Sequence, residues 1–319
     1  MDDRTLRLER AASTAGPAPS SSATGSIYDL GYQGYEGPRL GRRHAIWALF
    51  VYSLRAAYGI GRSGRAKIAP IGLAILAILP AIVGVGILAF AQQSGVGSQA
   101  ERINPISYDT YYNYIPTIIM LFVAAQAPEL LGRDQRYRVL SLYFSRALRR
   151  LDYALAKVAA FVAAMLILVL LPQAVIFIGL VFSAKDVVAA LSDNLPKLPP
   201  IVAVGVGIGA LLGSIGLVIS AFTPRRAYAT AAIMAVFLVP QVVAQTLIQG
   251  TNLDEARYAV LLAPSYVLDG LNAFLFGHAS TNREVVEAAL PGALFAAVTV
   301  VATLVLGAIL VRRYQGIEA

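Results

Sequence analysis

The chain has 319 residues, 57% hydrophobic and 14% charged, with positive mean hydropathy and a formal net charge of +8. An ordinary soluble domain carries about 25% charged residues, so the composition excludes a soluble globular protein in favour of a membrane one. The positive charge then belongs to cytoplasmic loops and not to a nucleic-acid surface. No cysteine is present, which removes disulfides, zinc thiolates and a cysteine nucleophile.

Residues 1–36 begin with charges and run into Ala, Ser, Pro and Gly with no apolar h-region. They read as a disordered cytoplasmic tail and not as a signal peptide. Within them Tyr28, Tyr32 and Tyr35 lie among glycines as a turn-rich strap of no legible purpose. Residues 37–68 hold an apolar stretch, 44–60, too short to cross and interrupted by Arg55. It is expected as an amphipathic helix in the cytoplasmic interface, with Trp47, Tyr52 and Tyr58 at headgroup level, rather than as a re-entrant piece.

Residues 69–313 form the expected transmembrane domain, all-α, with six spans at about 69–91, 111–127, 153–182, 200–222, 227–248 and 288–311. Between the fifth and sixth, residues 261–277 are too apolar for a solvated loop and too broken for a crossing. Short re-entrant helices in the outer leaflet suit them, either as a lid over an exit or as packing. Residues 314–319 are a cytoplasmic C-terminus.

Loop charge sets the orientation. Residues 37–67 carry Arg39, Arg42, Arg43, Arg55, Arg62, Arg65 and Lys67 with no acid. The loops after the second and fourth spans and the C-terminus are also basic, whereas those after the first, third and fifth are neutral or acidic. Six spans with both termini in the cytoplasm follow.

Enzymatic chemistry is not legible. No phosphate-cradling GxxxxGK[ST] loop exists. Gly59, Gly61 and Gly64 match a dinucleotide pattern formally, but they follow no strand and sit in an arginine-rich membrane approach. His44 and His278 are far apart, and the acids are scattered over loops, so no metal site is expected. Gln173, Gln241 and Gln245 lie at membrane depth, where amides need helix partners or line a substrate path. Gly205, Gly209 and Gly213 recur every four residues and let another helix approach closely, within the chain or across a dimer.

The most informative stretch is 128–157, basic and wedged between two apolar runs. If helical, Leu140, Tyr143, Phe144, Ala147, Leu148 and Leu151 fall on one face, a docking stripe for bilayer or protein. This stretch resembles the cytoplasmic link of ABC transporter permeases of the type-two exporter class. Arg133 and Asp134 resemble its start, residues 140–143 its helix core, Arg149 or Arg150 its arginine and Lys157 its lysine. Two positions depart: Arg138 and Val139 stand where the family has Gly-Thr, and Ala147 where it has proline. The resemblance extends to the six-span plan, the interfacial helix and the broken loop, roughly residues 40–313.

The resemblance implies a permease without its own ATPase site, working in a cell membrane as a homodimer or related heterodimer with a separate ATPase that binds ATP and Mg. The Ala-, Gly- and Arg-rich composition without cysteine suggests a bacterial source. Asp134, Arg136, Leu140, Tyr143, Phe144 and Ala147 would form the coupling contact. The cargo would be an amphipathic or hydrophobic drug, antibiotic, lipid or peptide. The alternatives are an ion-coupled carrier or channel and a membrane scaffold or lipid-modifying enzyme.

Overall fold

The computed structural model describes residue 37 and residues 40–94, 106–137, 139–144, 148–250 and 254–316. The expected N-terminal tail, its tyrosine strap and Ala147 lie outside these residues. Every regular element among those described is helical.

Five helices are long and apolar enough to cross a membrane: Gly64–Gln93 (α2), Arg150–Ser183 (α6), Val187–Phe222, Arg226–Gly250 (α9) and Gly292–Gln315 (α12). The third of these comprises Val187–Asn194 (α7), a 3-10 turn and Leu198–Phe222 (α8). Ahead of α2 lies Gly41–Ala57 (α1), whose Leu49, Ser53, Ala56 and Ala57 are buried. This is the architecture of a multi-pass helical membrane protein.

The outer faces of these helices are apolar. Ile75, Leu79, Ile82, Ile87 and Phe90 of α2 are more than half exposed, as are Val300, Val301, Leu304 and Val305 of α12. Contiguous apolar surface on this scale needs lipid around it. α8 is the central helix, buried along most of its length. Its glycine stripe meets α6 of the same chain. A β-carbon on Gly205 would lie 2.8 Å from Leu170, one on Gly209 3.3 Å from Met165, and one on Gly213 3.3 Å from Phe161.

The stretch expected as the second span differs from a simple crossing. Thr110–Asn113 form a 3-10 turn, and the α-helix starts only at Pro116, which sits at the helix start with its ring's fixed φ. Pro116–Ala127 (α3) runs without a break into a π turn, Pro128–Gly132, and then Arg133–Arg136 (α4). Pro128 lacks the N–H that would bond the Ala124 carbonyl. The Thr230 hydroxyl of α9 donates to that carbonyl at 2.9 Å instead.

The expected single amphipathic helix over 140–151 is also broken. Leu140–Phe144 (α5) is one short helix, and α6 restarts at Arg150. The restart is fixed by Asp152, whose carboxylate accepts the Arg149 backbone N–H at 3.0 Å while Arg42 of α1 donates to both of its oxygens at 2.6 and 2.7 Å. Before the last span, Asp254–Leu262 and Pro264–Phe276 (α10) meet at 97°. Gly277 ends α10 with a φ of +71°, a conformation that glycine adopts without strain. Arg283–Ala288 (α11) then leads to α12.

Candidate functional site

The two ends of the bundle carry opposite chemistry. At one end α3 to α6, the α8–α9 turn and the tail of α12 converge. Gln135 donates to the Ala221 carbonyl and the Tyr314 hydroxyl, and Arg150 to the Gln315 carbonyl. Arg62, Arg133, Arg136, Arg149, Arg225, Arg226, Arg312 and Arg313 gather here. At the other end Tyr108 donates to Asn194, Asn113 to Thr281 and Asn272 to the Asp109 carbonyl. The acids Asp109, Asp186, Asp193, Asp254, Glu255, Asp269, Glu284 and Glu287 lie there, outnumbering Lys185, Lys197, Arg257 and Arg283 on the same loops.

The basic end contains a buried polar core. Lys157 is 1% exposed and Asp134 6%. The Lys157 ammonium sits 2.8 Å from the Asp134 carboxylate and donates to the Leu130 carbonyl of the π turn at 3.3 Å. The Tyr153 hydroxyl donates to the same carboxylate at 2.7 Å. A buried charge pair holds only when its remaining hydrogen-bonding positions are also filled, and here a tyrosine and a carbonyl fill them. Around it Glu129 accepts from Arg62 at 3.1 Å and forms an ion pair with Arg226 at 2.5 Å. Burial pushes the Arg62 guanidinium below its usual value, with Arg133 adding to the effect and Glu129 opposing it.

Tyr153 also anchors the short helix. Its ring lies 5.5 Å from Tyr143, 6.0 Å from Phe144 and 5.2 Å from Tyr314. Burial pushes the Tyr143 hydroxyl up to about 12. The expected outward stripe is therefore rearranged: Tyr143 and Phe144 turn inward, Leu148 is buried, and Leu151 belongs to α6. The reason is aromatic area, since stacking two rings on Tyr153 removes more apolar surface from water than a solvent-facing stripe would. Asp134 likewise faces inward. Arg136 is exposed, Leu140 half-buried, and Tyr137 and Leu142 project at 67% and 66% exposure.

From the acidic end a cavity of about 480 Å³ reaches past the midpoint of α8. Ile208 and Leu212 of α8 and Phe237 of α9 are apolar lining residues, and Asn113, Asp269 and Asn272 are among its polar ones. Of the three glutamines singled out from sequence, Gln241 lines it, within 3.5 Å of Ser265. Gln173 is instead buried in packing, donating to the Tyr108 carbonyl at 2.8 Å, and Gln245 faces outward. Ser265, Asp269 and Asn272 escaped sequence reasoning, although their spacing of four and three residues places them on one face of a helix.

No protein-family model matches this chain, and no curated protein matches it either.

Proposed function

We propose that this chain is the membrane-spanning subunit of an ATP-driven exporter of the type-two permease class. It pairs with a second permease copy and with a separate ATPase subunit, which holds ATP and Mg. The cargo is an amphipathic or hydrophobic molecule. In this reading the unbroken helical run 116–136, about 30 Å long at 1.5 Å per residue, is a sixth crossing. The basic end then faces the cytoplasm.

One observation carries the proposal. The segment 129–157 presents exposed Arg136, Tyr137 and Leu142 while Asp134, Lys157 and Tyr153 brace it into the bundle. A partner pressing on α5 would load α6 and α12 through one aromatic cluster, with little compliance in between. Leu142 is the residue to change, because Tyr143 and Phe144 also hold the fold. The test is ATP hydrolysis retained by the tagged chain after purification from its native host's membranes in mild detergent. Hydrolysis should accompany the wild type, and Leu142→Asp should lower its retention about 30-fold, as at a hot spot worth about 2 kcal/mol. Thermal stability should be unchanged. No hydrolysis with the wild type, or full retention with the variant, contradicts the proposal.

The buried Asp134–Lys157 pair favours one second reading, an ion-coupled carrier, since intramembrane charges are a common element of proton paths. Uphill transport by the purified chain in liposomes, driven by a proton gradient alone, would select it.

A further inference from the structure

The cavity at the acidic end is chemically one-sided. Asp269 is the one charged residue among those lining it. The Ser280 hydroxyl donates to one of its oxygens. His278, close by in the chain, directs its Nε2 towards Asp109 at 3.2 Å, within ion-pair distance but outside hydrogen-bonding geometry. Among the described residues Asp269 makes no ion pair, although His278 lies near enough for its field to favour the charged carboxylate against burial.

One helical turn further on, Asn272 is 3% exposed and lines the same cavity. Its amide nitrogen is committed to the Asp109 carbonyl at 3.1 Å, and that bond leaves Oδ1 as the free end. Oδ1 is buried and has no partner among the described residues. A buried acceptor left unpaired costs about 1–3 kcal/mol, a cost recovered when a small side-chain shift lets a ligand's donor reach Oδ1. Opposite these groups Ile208, Leu212 and Phe237 offer a surface that an apolar body can cover. The volume suits a small molecule, since ligand pockets run from about 300 to 1,000 Å³.

We propose that this cavity binds a cationic amphiphile, its ammonium head held by Asp269 and Asn272 and its apolar body laid against Ile208, Leu212 and Phe237. The inference rests on the permease reading, of which it names the substrate class. A carboxylate head would meet the Asp269 charge and the unpaired Asn272 oxygen, and both repel it. A neutral apolar molecule would leave both groups unanswered.

Two fluorescent probes of similar body and opposite charge decide the matter: dansylcadaverine, a primary ammonium, and dansyl-6-aminohexanoate, a carboxylate. Binding is read by fluorescence anisotropy on the purified chain in phosphatidylcholine nanodiscs, without ATPase. The cation should bind at least about tenfold more tightly than the anion. Asp269→Asn should bring the two within about threefold of each other, and Asn272→Leu should weaken the cation about fivefold or more. Ile208→Trp, which fills the apolar wall without touching either polar group, should weaken both probes. The inference is overturned by equal binding of the two probes, by preference for the carboxylate, by no binding of either, or by indifference of the cation to all three variants. Since no nucleotide is involved, loss of ATP coupling would leave this result standing, and failure of the probes would leave the coupling segment untouched.

Discussion

Lys157 enters the bundle eight residues into α6 and is almost wholly enclosed. Its charge is tolerable there because Asp134 and the Leu130 carbonyl meet it, while Tyr153 donates to the Asp134 carboxylate. Removing one partner leaves the other charge buried and alone, at a cost of about 3–5 kcal/mol. Lys157→Met should accordingly lower the unfolding free energy in detergent by that amount, whereas the double change Lys157→Met with Asp134→Leu should recover most of it. Equal losses in the single and double variants would show that the two side chains are not coupled. The sequence marks Lys157 as a lysine at the mouth of a span, matched by resemblance to the lysine of the permease link, and does not show what it meets. Its partners Leu130 and Asp134 lie 27 and 23 residues before it in the chain. They are brought together by the π turn at Pro128, which helical periodicity does not reveal.

At the scale of elements, the contact of α6 with α8 depends on what the glycine stripe leaves out. A β-carbon on Gly209 would meet the Met165 β-carbon at 3.3 Å and the Val162 carbonyl at 3.4 Å, atoms fixed close to the neighbouring backbone. Gly209→Leu should wedge the helices apart and cost about 1–3 kcal/mol, the usual range for overpacking. Gly205→Ala should be near neutral, since the atom it meets is a terminal carbon of the Leu170 side chain, and alanine contributes up to about 1 kcal/mol in helix propensity. Unfolding of both variants in one detergent checks the contrast, and equal loss would remove the backbone contact as its cause. The five long apolar helices were legible as runs in the sequence, because apolar runs of this length leave few choices. Segment 140–151 was not. A stripe at spacings of three and four cannot tell a docking face from rings that fold back on Tyr153, nor foresee that Asp152 restarts the helix at Arg150, six residues after the short helix ends at Phe144.

For the molecule as a whole, the separation of basic from acidic ends was readable from loop composition, because each loop joins helices whose ends must share a side. The cavity was not readable in the same way. Its walls come from α3, α8, α9 and α10, and only their packing sets Asp269 and Asn272 opposite Ile208 and Phe237. Export in the proposed sense needs these two ends on opposite faces of the membrane, with the braced segment inside and the cavity mouth outside. The chain has no cysteine of its own, so single introduced cysteines report without background. Leu142 and Ser192 are both exposed, one at each end of the bundle. A membrane-impermeant maleimide applied to intact cells should label Ser192→Cys and leave Leu142→Cys unlabelled until the cells are opened. Labelling of Leu142→Cys from outside would place the segment beyond the reach of any cytoplasmic ATPase and contradict the account.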